Sequence, residues 1–187
     1  MIISNLEALL KERKLKISKV SVDTGISRTT LTMLCNNTGK GVQFDTANDL
    51  CIYLNIDMGQ LFTTLPFDIT VKGSRLLESP EPEWLIAIDL LYSDRRRKET
   101  PCFVAEVHSF TGFDENEEDI AEVEILPLAE CLNVPDGNTD EENRLLCNAI
   151  KSMPPAAKQI LKDQIASEIV KSSSFSKAYA YLPDELN

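Results

Sequence analysis

The sequence predicts an α+β chain in two parts: a five-helix unit over residues 1–65, then a small antiparallel sheet with C-terminal helices over residues 66–187. Three observations lead there. Apolar residues in the first sixty-odd positions recur at three- and four-residue spacing, with capping residues ahead of the runs. From residue 67 onward, β-branched and aromatic residues gather into four runs separated by polar turns. The charge divides at the same place. Residues 1–65 hold seven Lys and Arg against six Asp and Glu, a net of +1, so the remainder carries −12 of the total of −11.

Ser4 and Glu7 form an S-x-x-E capping box, with Ile3 placed as a hydrophobic staple, ahead of Leu6, Leu9 and Leu10 on a helix to about Arg13. Val20, Ser21 and Thr24 face inward on a second helix that ends at Gly25, and Ile26 plugs the turn. Ser27 is the N-cap of a third helix with Leu31 and Leu34 on its core side. After the polar loop "NNTGKG", Asp45 caps a fourth helix whose stripe is Ala47, Leu50, Cys51 and Leu54. A D-x-x-Q box, Asp57 and Gln60, opens a last turn ending near Phe62.

The four strand candidates are "FDITVKG" (67–73), "WLIAIDLLY" (84–92), "CFVAEVHSF" (102–110) and "AEVEILPL" (121–128). Between the first two lies a Pro-containing linker, "ESPEPE"; "SDRRRKETP" and the acidic "DENEED" read as hairpin loops. Thr139 and Glu142 make a further capping box ahead of Leu145, Leu146, Ala149 and Ile150. Pro154 and Pro155 break that helix and start another, on which Leu161, Ile165 and Ile169 repeat every fourth residue.

The hydrophobic content of 43% supports a buried core. No apolar run reaches the roughly 18 residues of a membrane span, and the first residues lack a secretory signal pattern, so the expectation is a cytoplasmic chain without a membrane partner. Five cysteines (Cys35, Cys51, Cys102, Cys131, Cys147) are widely spread with no CxxC pair, which argues against a disulfide framework and a zinc site. No cofactor or metal is expected. There is no HExxH, P-loop or G-x-S-x-G, and no Ala-Gly dipeptide for self-cleavage; a catalytic Ser–His pair would have to use His108, the sole histidine. The reading is not an enzyme.

Residues 17–36, "ISKVSVDTGISRTTLTMLCN", carry the sterics of a helix-turn-helix: small Ser21 at the helix crossing, Gly25 where the turn needs positive φ, and buried aliphatics at Ile26, Leu31 and Leu34. "TGISRTTL" and "VQFDTANDLCIYLNIDMGQLF" resemble the Cro/CI-type, or lambda-repressor-like, helix-turn-helix family over about residues 2–64. They are most similar to its small phage and Gram-positive branch. Lys16 and Ile17 depart from the family pattern, which usually has a Ser or Thr cap and then a phosphate-touching Gln; Ser18 and Lys19 lie close enough to substitute.

The resemblance implies that the third helix enters the major groove of an operator in double-stranded DNA, with Arg28, Thr29 and Thr32 at base edges. Ser18, Lys19, Ser27, Asn36, Thr38 and Lys40 would hold phosphates. The expected function is a sequence-specific transcriptional regulator, a phage or mobile-element repressor acting as a homodimer. The competing reading is a protein-inhibitory module, an anti-CRISPR or antitoxin. In it the acidic second domain binds a protein partner while the first represses its own gene. Residues 1–65 are expected to leave little apolar surface beyond their core, so the second domain is the expected dimerisation unit, with Leu161, Ile165 and Ile169 as the seam. The run Arg95–Arg96–Arg97–Lys98 reads as a solvated loop, with phosphate contact the less favoured alternative. His108, beside Glu106, reads as structural, and Trp84 as core.

Overall fold

The computed structural model describes residues 1–77, 84–111, 119–126, 137–173 and 175–186, and divides the chain into two compact units, Met1–Leu65 and Pro66–Asn187. In the first, β1 (Ile2–Ser4) precedes α1 (Leu6–Glu12), α2 (Ile17–Thr24), α3 (Arg28–Cys35), α4 (Phe44–Leu54), α5 (Met58–Leu61) and β2 (Phe62–Thr64). The expectation of helix throughout is corrected at both ends. β1 and β2 pair antiparallel, with Ile3 opposite Thr63, and Met1 and Leu65 exchange two further hydrogen bonds. β-Branched residues at both ends favour that ribbon.

The ribbon also overturns the first capping box. Ser4 stands in the strand and Asn5 takes the N-cap position without a side-chain cap bond of its own; Ser4 Oγ accepts from the Leu6 amide, at 3.3 Å, and Glu7 pairs with Lys11 at 2.7 Å instead of reaching back. Ile3 is buried as a strand residue. The second correction is at α4. Its N-cap is Gln43, without a side-chain bond, and Asp45 lies inside the first turn, where its charge still complements the positive end of the helix. The box at Asp57 and Gln60 forms both of its bonds, at 2.8 and 3.0 Å.

The core of this unit joins Leu6 and Leu10 of α1, Val20 of α2, Leu31 and Leu34 of α3, Ala47, Leu50 and Leu54 of α4, and Leu61 of α5. Each fully buried leucine contributes about 1.5–3 kcal/mol. Burial of this kind also pushes the Cys35 thiol up to about 11, which makes it a packing residue. The helices stop abruptly because the residues that follow them turn left-handed: Lys14 (φ 55), Gly25 (φ 74), Asn37 (φ 54) and Asn55 (φ 48).

The second unit contains β3 (Phe67–Leu76), β4 (Trp84–Asp94), β5 (Lys98–Glu99), β6 (Cys102–Thr111), β7 (Asp119–Ile125), α6 (Asp140–Lys151), α7 (Pro155–Ser172), β8 (Lys177–Tyr181) and a 3₁₀ turn at Asp184–Leu186. The sheet runs β3-β4-β6-β7-β8, with β5 folded back on β4. It is mixed, not antiparallel as expected: β8 lies parallel to β7, with Val123 opposite Ala180. Parallel neighbours need a crossover, and α6 and α7 lie on the chain between them. A bulge between Val71 and Gly73 shifts the register of β3 on β4.

Ile69, Ile88, Leu90, Phe103 and Val123 form the buried sheet face, and α7 packs on β3 and β8. Leu161, Ile165 and Ile169 are buried in that layer, so the stripe read as a dimer seam is intrachain core. Contrary to expectation, the first unit carries exposed apolar side chains of its own: Val22, Phe44 and Ile52 are 77%, 87% and 71% exposed, while in the second unit Leu76, Tyr179 and Tyr181 are exposed. Thr139 and Glu142 form their capping box, and Pro154 stands at the N-cap of α7. The linker at 78–83, most of the acidic loop (114–118), the Trp84 side chain and Cys131 lie outside the described residues.

Among the described residues no helix is long and apolar enough to cross a membrane, and no group of His, Cys, Asp or Glu is arranged to hold a metal.

Candidate nucleic-acid interface

The turn between α2 and α3 is held by three side-chain bonds. Ser21 Oγ donates to the Ile26 carbonyl at 2.7 Å, Thr24 Oγ1 donates to the Val20 carbonyl at 2.7 Å, and Thr24 Oγ1 accepts from the Ile26 amide at 3.2 Å. Gly25 supplies the left-handed corner, and Ile26, 9% exposed, anchors it in the core. Ser27 then caps α3, its Oγ accepting from the Thr30 amide at 3.1 Å. With Leu31, Leu34 and Cys35 buried, α3 is fixed in rotation about its own axis.

Arg28, Thr29, Thr32 and Asn36 are left on the exposed side of α3. Met33, 41% exposed, joins them. Sequence reasoning missed it, since a methionine inside an amphipathic helix reads as core. Arg28, Thr29, Thr32 and Met33 offer a guanidinium, two hydroxyls and methyl groups, the kinds of donor and apolar contact that read base edges in a major groove, while Asn36 stands at the C-cap beside the following loop.

The flanks offer phosphate-binding groups. No side chain caps α2 after Lys16, so its first-turn N–H groups, with the exposed Ser18 hydroxyl beside them, are open to an anion. Thr38 and Lys40 are exposed in the loop after α3. Ser27 is exposed too, although its hydroxyl already serves the cap. Lys19 differs from the others. Its Nζ pairs with Asp23 at 2.8 Å, and Tyr53 donates a second bond to the same carboxylate at 2.7 Å. The hydrogen bond to Asp23 raises the Lys19 pKa, and the bonds from Lys19 and Tyr53 hold the Asp23 carboxyl below its ordinary range. An i,i+4 spacing of Lys19 and Asp23 was visible in the sequence; the phenol from α4 was not.

The loop after α3 starts from Asn37, which in the sequence is one polar residue among several in "NNTGKG". Its backbone turns left-handed, and the Thr38 amide donates back to the Met33 carbonyl at 3.1 Å, closing the helix end. The Asn37 side chain then accepts from the Ser4 amide at 2.6 Å and donates to the Ser4 carbonyl at 3.0 Å. It acts as one peptide group of an added strand on the outer edge of β1.

Residues 5–66 match the family model of the Cro/C1-type HTH DNA-binding domain. The first unit carries a Cro/C1-type HTH domain. The match covers the two helices, their turn and the loop just described, and it supports a DNA-binding transcription regulator. No curated protein and no solved structure matches the chain. Outside the HTH domain, His108 Nε2 stands 3.7 Å from Glu106 Oε2 on the same strand, a pair without further ligating partners among the described residues.

Proposed function

We propose that the chain is a sequence-specific transcriptional repressor of a phage or other mobile element, bound to its operator as a dimer. The observation that carries the reading is the outer face of α3, where Arg28, Thr29 and Thr32 are exposed together beside the uncapped start of α2. In this reading Arg28 bonds guanine, and the Thr29 and Thr32 methyls meet thymine. Ser18, Lys19, Ser27, Asn36, Thr38 and Lys40 hold the flanking phosphates and set the register.

A single recognition helix spans too few base pairs for selective binding, and two copies on one face of the duplex place half-sites about 34–36 Å apart. The second unit joins the protomers in this reading, through a surface other than the buried α7 stripe. Selection of bound duplexes from a random pool with the full chain tests the proposal. The expected product is an inverted repeat with that spacing. An unrepeated half-site would remove the dimer, and no enrichment over the starting pool would remove sequence-specific binding.

A further inference from the structure

We propose that the second unit holds a binding site for a small aryl anion, a molecule with a flat apolar body and one carboxylate or phosphate. The site is a cavity of about 520 Å³ between α6 and the adjoining ends of β3 and β4. That volume falls within the 300–1,000 Å³ typical of small-molecule sites. Its floor is apolar and buried: Phe67 stacks on Tyr92 with ring centroids 5.7 Å apart, and Leu145 and Ala149 of α6 complete it. Arg97 and Arg144 line it from two different elements.

Both guanidiniums are available to an anion. Arg144 is exposed and has no carboxylate within ion-pair distance among the described residues. Arg97 has two partners, Asp94 at 3.5 Å and Glu141 at 3.3 Å, and neither reaches the roughly 2.7–2.9 Å of a strong charge-assisted bond. Glu141 is 75% exposed, so an incoming anion can displace it at little cost.

The turn that presents Arg97 is built, not loose. Asp94 Oδ1 accepts from the amides of Arg96 and Arg97 at 2.7 and 3.0 Å, and Asp94 Oδ2 accepts from the Tyr92 hydroxyl at 3.0 Å. The same carboxylate thus fixes the cationic turn and the aromatic floor relative to each other. The strongly acidic remainder of this unit repels anions in general, which makes two guanidiniums lining a hollow with an apolar floor a local exception; Glu141, also in the lining, is the carboxylate an anion would displace. A bare phosphate would leave the floor unused, and a neutral arene would leave the arginines unused. The chemistry therefore selects a ligand with both parts.

The test titrates the full chain with phenyl phosphate, inorganic phosphate and phenol, read by amide chemical shifts. Phenyl phosphate is expected to shift Tyr92, Arg97, Leu145, Asn148 and Ala149 saturably, with the other two probes at least about ten-fold weaker, a difference of about 1.4 kcal/mol. Arg144→Gln, an exposed change that leaves the fold intact, is expected to weaken phenyl phosphate by about ten-fold as well. Ala149→Phe, which fills the hollow, is expected to abolish the shifts there. Three results would overturn the proposal: no saturable shift at these residues, equal affinity for inorganic phosphate, or binding indifferent to both substitutions. Arg28→Gln in the HTH domain leaves this titration unchanged, so its outcome is independent of the operator.

Discussion

Replacing Asn37 separates two things that this one residue does for the HTH domain. Its side chain makes two hydrogen bonds to the backbone of Ser4, at 2.6 and 3.0 Å, and its backbone occupies the left-handed region at φ 54. Asn37→Gly keeps the backbone and deletes the bonds. Two such bonds have a net worth of about 1–3 kcal/mol, and the upper part applies because Ser4 is only 5% exposed and its N–H and C=O regain water poorly. Relief of residual left-handed strain returns a few tenths of that. The expected loss for glycine is therefore about 2–3 kcal/mol. Asn37→Ala loses the bonds and also meets the left-handed penalty of about 1–2 kcal/mol, for a total of about 3–5 kcal/mol.

The assay is native-state hydrogen exchange in the full chain, followed at the core amides of Leu31 and Leu50, which open only when the domain unfolds. The Ser4 amide should lose protection in both variants. If Asn37→Gly matched the natural protein at Leu31 and Leu50, the clip would contribute nothing. If alanine and glycine were equally destabilising, the left-handed backbone would not matter. At the operator, both variants should weaken all sequences alike, because Asn37 leads into Thr38 and Lys40 and away from the base-facing side of α3.

Other substitutions test the interface directly. Arg28→Ala should cost about 1–3 kcal/mol on the operator and relax preference at one base position; equal loss on random DNA in a filter-binding titration would restrict Arg28 to phosphate. Lys40→Ala should weaken every sequence similarly and reduce the slope of log affinity against log salt by about one, and an unchanged slope would place it away from the backbone. Asp23→Asn releases Lys19 from its ion pair, so non-specific affinity and the salt slope should both rise; a fall would mean that Asp23 is needed to aim Lys19. Gly25→Ala meets no atom within 4 Å, so its cost of about 1 kcal/mol, seen as a lower Tm, isolates the left-handed turn; an unchanged Tm would show that alanine tolerates φ 74 there.

The sequence by itself determined what depends on near neighbours along the chain. Ser27 caps α3, Asp57 pairs with Gln60 and Thr139 with Glu142 because both partners lie within one helical turn. The turn between α2 and α3 was legible for the same reason, since Gly25, Ile26, Leu31 and Leu34 constrain one another within ten residues. Tertiary structure decided every feature that joins distant segments. Ser4 carries a local capping signal, but pairing of β1 with β2, some sixty residues away, takes its backbone first. Asn37 reads as one polar loop residue among several until β1 places Ser4 against it. The spacing of Leu161, Ile165 and Ile169 established an apolar stripe but not its partner, and the sheet layer that holds β3 and β8 claimed it. The direction of β8 was likewise undecided by its own residues, because alternation sets which side chains face the core and a crossover sets which way the strand runs.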